Sequence, residues 1–389
     1  MTSEAAAIAL ANAGPVTLTG PEQDSAPKKQ RPRLEQLDGL RGILALFVVV
    51  YHLQDPFPAI TSVLLAHLPI LSQAWFSVDV FFIMSGFVMM YVYGAAFSDK
   101  VRWADYRDFF AARIARLYPV HLFAMAILLL ALLPFIHGKP DFTSVDGRYS
   151  WNSALAALFM LHGPWIDHRT WNFPSWSISA EWHAYAIFPF AAVLASRWNA
   201  RLAAVILTLC CAGALVLYNI DTHTDQYPTN TPVVLIRVLT LFVGGMALFR
   251  LNLAYSHFLA APWTIWAVIA ALLIILSVPD IASIAVLLAP VLVLAVLQCP
   301  NASRLFSNSP ALFLGKISYS LYMTHALVSI VGISLWLKVA PLLFGIDPTA
   351  PLASWLCFVA AVVAALVFGW LTCRFVEIPL RKTILKRFV

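Results

Sequence analysis

The 389-residue sequence predicts an all-α, polytopic membrane helix bundle of about ten transmembrane helices with both termini cytoplasmic. Three observations carry that expectation. Apolar side chains are 61% of the residues and charged ones 11%, with a mean hydropathy of +0.81, against roughly 45–50% and about 25% in soluble domains. Apolar runs close to the ~20 residues a helix needs to cross a bilayer recur along the whole length. Threading ten spans also puts 20 of the 25 Lys and Arg residues on one side, the positive-inside pattern. The net charge of +6 is then a topology signal and calls for no nucleic-acid partner.

Residues 1–33, rich in Ala, Pro and Ser, read as a disordered cytoplasmic tail, and no h-region of a secretory signal lies there. A transmembrane domain is expected over 34–382, with a short cytoplasmic tail at 383–389. The ten spans are 41–58, 73–97, 112–137, 175–195, 200–219, 231–251, 260–277, 280–298, 315–339 and 352–375. The stretch 151–165, apolar but short, reads as an interfacial or re-entrant helix.

The first span, "RGILALFVVVYHLQD", opens on Arg41 and carries His52 eleven residues on. At 100° per residue these share one face, about 16 Å apart along the axis, with Arg41 at the cytoplasmic mouth and His52 about halfway across. An arginine fork suits phosphate, and an imidazole can take and return a proton near neutral pH. A snorkelling arginine and a structural histidine explain the pair equally well at this point. The second span, "WFSVDVFFIMSGFVMM", places Asp79 near its outer end, where a carboxylate can orient or charge-balance an imidazole. Ser85 and Gly86 in it read as a close-packing step.

Arg113 and Arg116 stand at i, i+3 where the third span is entered, with Pro119 after them. They lie on the same side as Arg41, so three arginines surround one mouth, a site for a polyanion such as the phosphates of coenzyme A. The outer connection 137–174 holds polar and aromatic residues suited to sugars. In the fourth span Glu181 and Tyr185 face together at i, i+4, Trp176 sits at the membrane boundary, and His183 points away as a packing residue. Arg237 in span six can pair with Asp79 or Glu181, or snorkel outward. The ninth span crowds Ser318, Tyr319, Ser320, Tyr322, Thr324 and His325 together, the mark of a helix lining a polar path. Five cysteines lie in or beside spans without metal-ligand spacing and read as apolar filler, so no metal is expected.

These motifs together resemble the acyltransferase-3 family of integral membrane O-acyltransferases over about 34–382. The family's basic residue, ten residues, then histidine is matched by Arg41 and His52. Its G-V-D-x-F-F-x-x-S-G-F is matched by "SVDVFFIMSGF", with Ser77 for the first glycine. R-x-x-R before proline is Arg113, Arg116 and Pro119. W-S-L-x-x-E…Y-x-x-x-P is Trp176, Ser177, Glu181, Tyr185 and Pro189, with Trp182 where many relatives carry a second acid. S-Y-x-x-Y-x-x-H is Ser318, Tyr319, Tyr322 and His325, and the closing E-x-P is Glu377 and Pro379.

The resemblance implies transfer of an acyl group, usually acetyl from acetyl-CoA, to a hydroxyl of a carbohydrate or related acceptor, in a bacterial inner membrane. His52 is then the expected base, with Asp79 or Glu181 orienting it. Arg41, Arg113 and Arg116 are the expected binders of acyl-CoA, and Trp176, Tyr185, Tyr322 and His325 of the acceptor. Transient carriage of the acyl group by His52 or another residue is a variant. The rival class is a transporter or exporter of a polar lipid or saccharide, which accounts for the spans and buried charges but gives the arginine cluster no task.

Overall fold

A computed structural model describes residues 32–136, 149–166, 170–220 and 232–388. Most of the expected tail and much of the connection 137–174 lie outside the described residues. Within the described residues all regular structure is helical, and nine helical runs are long and apolar enough to cross a membrane.

The chain opens with α1 (Glu35–Gln54), whose first turn carries Glu35 and Asp38, acids favoured at a helix N-terminus. A short α2 (Pro58–His67) leads to α3 (Trp75–Tyr93) and α4 (Trp103–Ile136). The sequence expectation began this third span at 112. The helix instead starts nine residues earlier and runs through Pro119, so Arg113 and Arg116 stand inside it. The stretch 151–165 forms two short helices, α5 (Trp151–Leu158), capped by the Ser150 hydroxyl, and α6 (His162–Trp165). Between them Met160 takes a φ of 54°, which breaks the helix.

There follow α7 (Trp176–Ser196), α8 (Ala200–Ile220), α9 (Pro232–Ala254), α10 (Thr264–Leu276), α11 (Ala285–Gln298) and α12 (Ala302–Phe306). At 13 residues α10 is about 20 Å long, shorter than the ~30 Å hydrocarbon layer. Pro262 before it and Pro279 after it bound the run. The Asn308 side chain caps α13 (Ser309–Leu327) by accepting from Ala311 N at 2.9 Å. A π-helical turn, Val328–Ile333, carries α13 into α14 (Ser334–Phe344). A second, Cys373–Glu377, joins α15 (Pro351–Thr372) to α16 (Ile378–Phe388). The helix therefore continues through most of the stretch expected as a C-terminal tail.

Two seams hold the bundle. On one, α1 and α13 pack against each other more extensively than any other pair. Asp38 meets Gly315, Arg41 meets Ser318 and His52 meets His325, so the two helices run parallel. A Cβ on Gly42 would collide with the Gly315 amide, and one on Gly315 with the Asp38 carbonyl; only glycine allows this approach. On the other, α3 meets α9, where a Cβ on Gly86 would strike the Phe242 carbonyl and one on Gly245 the Ile83 carbonyl. Gly86 is the packing step expected of it. α3 is buried on nearly all sides, and α8 and α10 stand at the periphery.

Candidate active site

The α1–α13 seam puts polar groups where apolar packing would otherwise continue. Nearer the N-terminal end of α1, Arg41 donates from Nε to Ser318 Oγ at 3.1 Å and pairs with Asp38 at 2.6 Å. Toward the other end His52 Nδ1 lies 3.1 Å from His325 Nε2, with the rings stacked 15° from parallel. The proton positions follow from chemistry. His325 Nδ1 is 2.7 Å from the Tyr322 carbonyl oxygen, which can only accept, so Nδ1 carries the proton and Nε2 is the acceptor. His52 must then donate through Nδ1, which makes Nε2 its basic nitrogen. Phe173 lies edge-on to both rings, at 5.0 and 5.8 Å between centroids.

At the Arg41 end of the seam the guanidiniums gather. Arg116 on α4 stands over the Tyr319 ring and is 3.8 Å from Glu377, which also accepts from Ser320 Oγ at 2.6 Å. Arg41, Arg116, Asp38 and Glu377 are within electrostatic reach of one another. Arg113, only 8% exposed, donates from Nη2 to Tyr93 OH at 2.8 Å and lies over the Tyr93 and Tyr185 rings. Its Nε is buried without a partner. With Arg33 on Asp38 and Glu181 near Arg113 and Arg116, four guanidiniums stand against three carboxylates, a set that suits a polyanion.

Between the arginines and the imidazoles lies a polar column from α3, α7 and α13. Tyr185 OH donates to Glu181 at 2.6 Å and is 3.1 Å from Ser85 Oγ. Glu181 is half-buried and within electrostatic reach of Arg113 and Arg116. Tyr322 OH and Ser177 Oγ are 2.9 Å apart. Trp176, the first residue of α7, is buried against Phe82.

Asp79 is not brought to His52. Arg237 Nε donates to its Oδ1 at 2.9 Å, Tyr218 OH donates to its Oδ2, and the Arg237 guanidinium covers the Tyr218 ring. This clamp ties α3, α8 and α9 together. Among the described residues Glu181 is held by Tyr185 rather than by His52, and His325, expected as an acceptor binder, is hydrogen-bonded to the His52 imidazole. The Arg237 alternatives resolve to Asp79. His183 accepts from Trp165 and donates to its own helix, as a packing residue does.

Several contributors escaped the sequence reading. Glu377 appeared there only as a motif letter, although it is the lone acid after Asp347. Phe173 is held by a network with no sequence signature. His162 Nε2 donates to Ser175 Oγ at 2.8 Å, Ser175 donates to the Asn172 carbonyl, and Asn172 Nδ2 donates to the Met323 carbonyl at 2.9 Å. Burial pushes the His162 imidazole down to about 3, which keeps it neutral and its donor fixed. Among the described residues no group of three or more His, Cys, Asp or Glu side chains is arranged to hold a metal ion.

Comparison with known proteins adds to this geometry. The acyltransferase-3 family model, described as an acyltransferase domain, matches residues 34–374. The acyltransferase MdmB of Streptomyces mycarofaciens is 31% identical over 204 residues, covering 51% of this chain and 48% of its own. The O-acetyltransferase OatA of Staphylococcus aureus is 24% identical over 398 residues, covering 93% of this chain and 59% of its own. The chain thus spans about half the length of the relatives it matches. No solved structure matches it. With the family model covering nearly all of the bundle, the chain belongs to the acyltransferase-3 family, as a multi-pass integral membrane protein.

Proposed function

We propose that this chain is a membrane O-acyltransferase of a bacterial cytoplasmic membrane, moving an acyl group, acetyl foremost, from acyl-CoA to a hydroxyl of a carbohydrate or related acceptor. The observation that carries the reading is one helix pair holding both halves of the chemistry. Arg41 and Ser318 stand at the inner end of the α1–α13 seam, and the hydrogen-bonded imidazoles of His52 and His325 stand further along it. A thioester bound by its phosphates near Arg41, Arg113 and Arg116 reaches His52 through its pantetheine arm. The unpartnered Nε of Arg113 supports the fit of an anion there.

In this scheme His52 Nε2 is the general base. The acceptor oxygen forms the ester bond to the acyl carbon as the carbon–sulfur bond breaks. His52 takes the hydroxyl proton and returns it to the leaving thiolate. His325 fixes the tautomer and plane of His52, the task a carboxylate performs in other triads. Glu181, Tyr185 and Tyr322 are assigned to the acceptor's hydroxyls, with Trp176 as an apolar wall behind them. Asp79 is assigned to the fold.

The test is His52→Ala in isolated membranes, read as transfer from labelled acetyl-CoA and, separately, as binding of coenzyme A. Transfer is expected to fall at least about 100-fold, the low end of what a general base contributes, while binding persists. Transfer near wild type overturns the mechanism. An exporter would bind no coenzyme A at all, and purified protein would not hydrolyse acetyl-CoA slowly without acceptor.

A further inference from the structure

The last helix carries an arginine that the donor site described above leaves unused. Arg381 is on α16, four residues after Glu377 and on the same helix face. Glu377 is tied to α13 through Ser320 and to α4 through Arg116. α16 itself packs on α4. These contacts direct Arg381 to the arginine mouth, and it lies within electrostatic reach of Arg113, Arg116 and Glu377.

Its height is fixed by the packing. α15 runs antiparallel to α13, since Gly369 faces Leu321 while Cys373 Sγ reaches the Lys316 carbonyl. Residues past Glu377 therefore lie farther from His325, and Arg381 is one turn, about 6 Å, beyond Glu377. It therefore stands farther from His325 than Arg116, which is level with Glu377. Among the described residues it makes no hydrogen bond or ion pair, whereas Arg41 holds Ser318 and Asp38 and Arg113 holds Tyr93. With the buried, unpartnered Nε of Arg113, the mouth has guanidinium donors in excess of its acceptors. Counting Arg381, and Arg33 where it pairs with Asp38, five guanidiniums share the three carboxylates Asp38, Glu181 and Glu377.

We infer that Arg381 reads the 3′-phosphate of the donor's adenosine; the inference rests on the acyl-CoA reading above. The chemistry of the donor sorts its charges by depth. The diphosphate adjoins the pantetheine arm and falls to the inner arginines, Arg41 and Arg116. The 3′-phosphate hangs from the ribose at the far end and meets Arg381, farther out than Arg116, where a planar guanidinium takes two of its oxygens at once.

The experiment uses the full chain, purified in detergent, and titrates coenzyme A and 3′-dephospho-coenzyme A by calorimetry, with KM for the two acetyl thioesters alongside. Wild type is expected to bind coenzyme A about tenfold or more tightly than the dephospho form, the scale of one charge-assisted phosphate contact. Arg381→Gln should bring coenzyme A down to the dephospho value and leave the dephospho form and kcat within about twofold. Unchanged dephospho binding also certifies that the variant is folded. Lys382→Gln, on an exposed face of the same helix, should change neither ligand. Equal weakening of both ligands by Arg381→Gln, or weakening of neither, overturns the assignment; the latter is what an arginine devoted to a lipid headgroup would give. If wild type binds neither nucleotide, the acyl-CoA reading itself has failed, and that result is visible before any variant is made.

Discussion

Asp79 and Glu181 are two carboxylates inside one bundle, and their partners assign them different work. Asp79 is fully buried and held by a guanidinium that is itself 3% exposed. Glu181 is half-buried, and the phenol of Tyr185 donates to it. Removing one partner of a buried pair leaves the other charge uncompensated, at a cost of about 3–5 kcal/mol, whereas replacing both with apolar groups is often neutral. Asp79→Ala and Arg237→Ala should therefore each lower the thermal unfolding midpoint sharply. The double replacement Asp79→Leu with Arg237→Leu should recover most of the midpoint and most of the transfer rate. A double variant that folds well and has lost transfer would return Asp79 to the catalytic set. Glu181→Gln should do the reverse, sparing the midpoint and lowering turnover. The Arg41–His52 spacing was legible because a helix fixes 100° per residue whatever surrounds it. The pairing of His52 with His325, 273 positions away, was not, because only packing decides which buried polar groups meet.

Among elements, the α1–α13 seam carries the most consequence, because the imidazole contact depends on how closely two backbones approach. Gly42 sits against the Gly315 amide with no room for a Cβ. Gly42→Ala must push the helices apart, and overpacking of that kind costs about 1–3 kcal/mol. The variant is expected to lose both unfolding midpoint and transfer, since a shift of even half an ångström lengthens the 3.1 Å contact between His52 and His325. Gly213→Ala on α8, whose nearest neighbour is a Thr240 methyl at 3.8 Å, should be tolerated or slightly stabilising, by up to about 1 kcal/mol. Equal effects from the two would mean that close approach is not what Gly42 provides. Spans were legible from hydropathy, but their ends were not. Pro119, near the expected start of the third span, is well inside α4, and the runs expected to end at 339 and 375 continue to Phe344 and Phe388. Each π turn lies next to a site residue, His325 in one case and Glu377 in the other, as such turns often do.

For the whole molecule the open quantity is the crossing count, and the parallel seam constrains it. Two parallel spans must be separated by an odd number of crossings. Between α1 and α13 that number is seven if α10 crosses and the 151–165 stretch does not, and six if α10 stops short. A helix of 13 residues crosses when the bilayer thins locally or the flanking turns complete the path, and α10 is backed along its length by α11. Parity therefore favours ten crossings with both termini inside, the arrangement charge asymmetry also predicts, and it puts Arg41, Arg116 and Arg381 on the face where acyl-CoA is made. Single cysteines introduced at exposed positions in a background lacking the five native ones test this in intact cells with a membrane-impermeant maleimide. Ser62→Cys and Thr349→Cys should label, while Ser98→Cys, Ser303→Cys and Lys386→Cys should not. If α10 does not cross, Ser98→Cys keeps its protection but Ser303→Cys and Lys386→Cys become labelled and Thr349→Cys is lost. That outcome would separate Arg381 from Arg41 by the thickness of the membrane and remove the shared mouth on which the donor site depends.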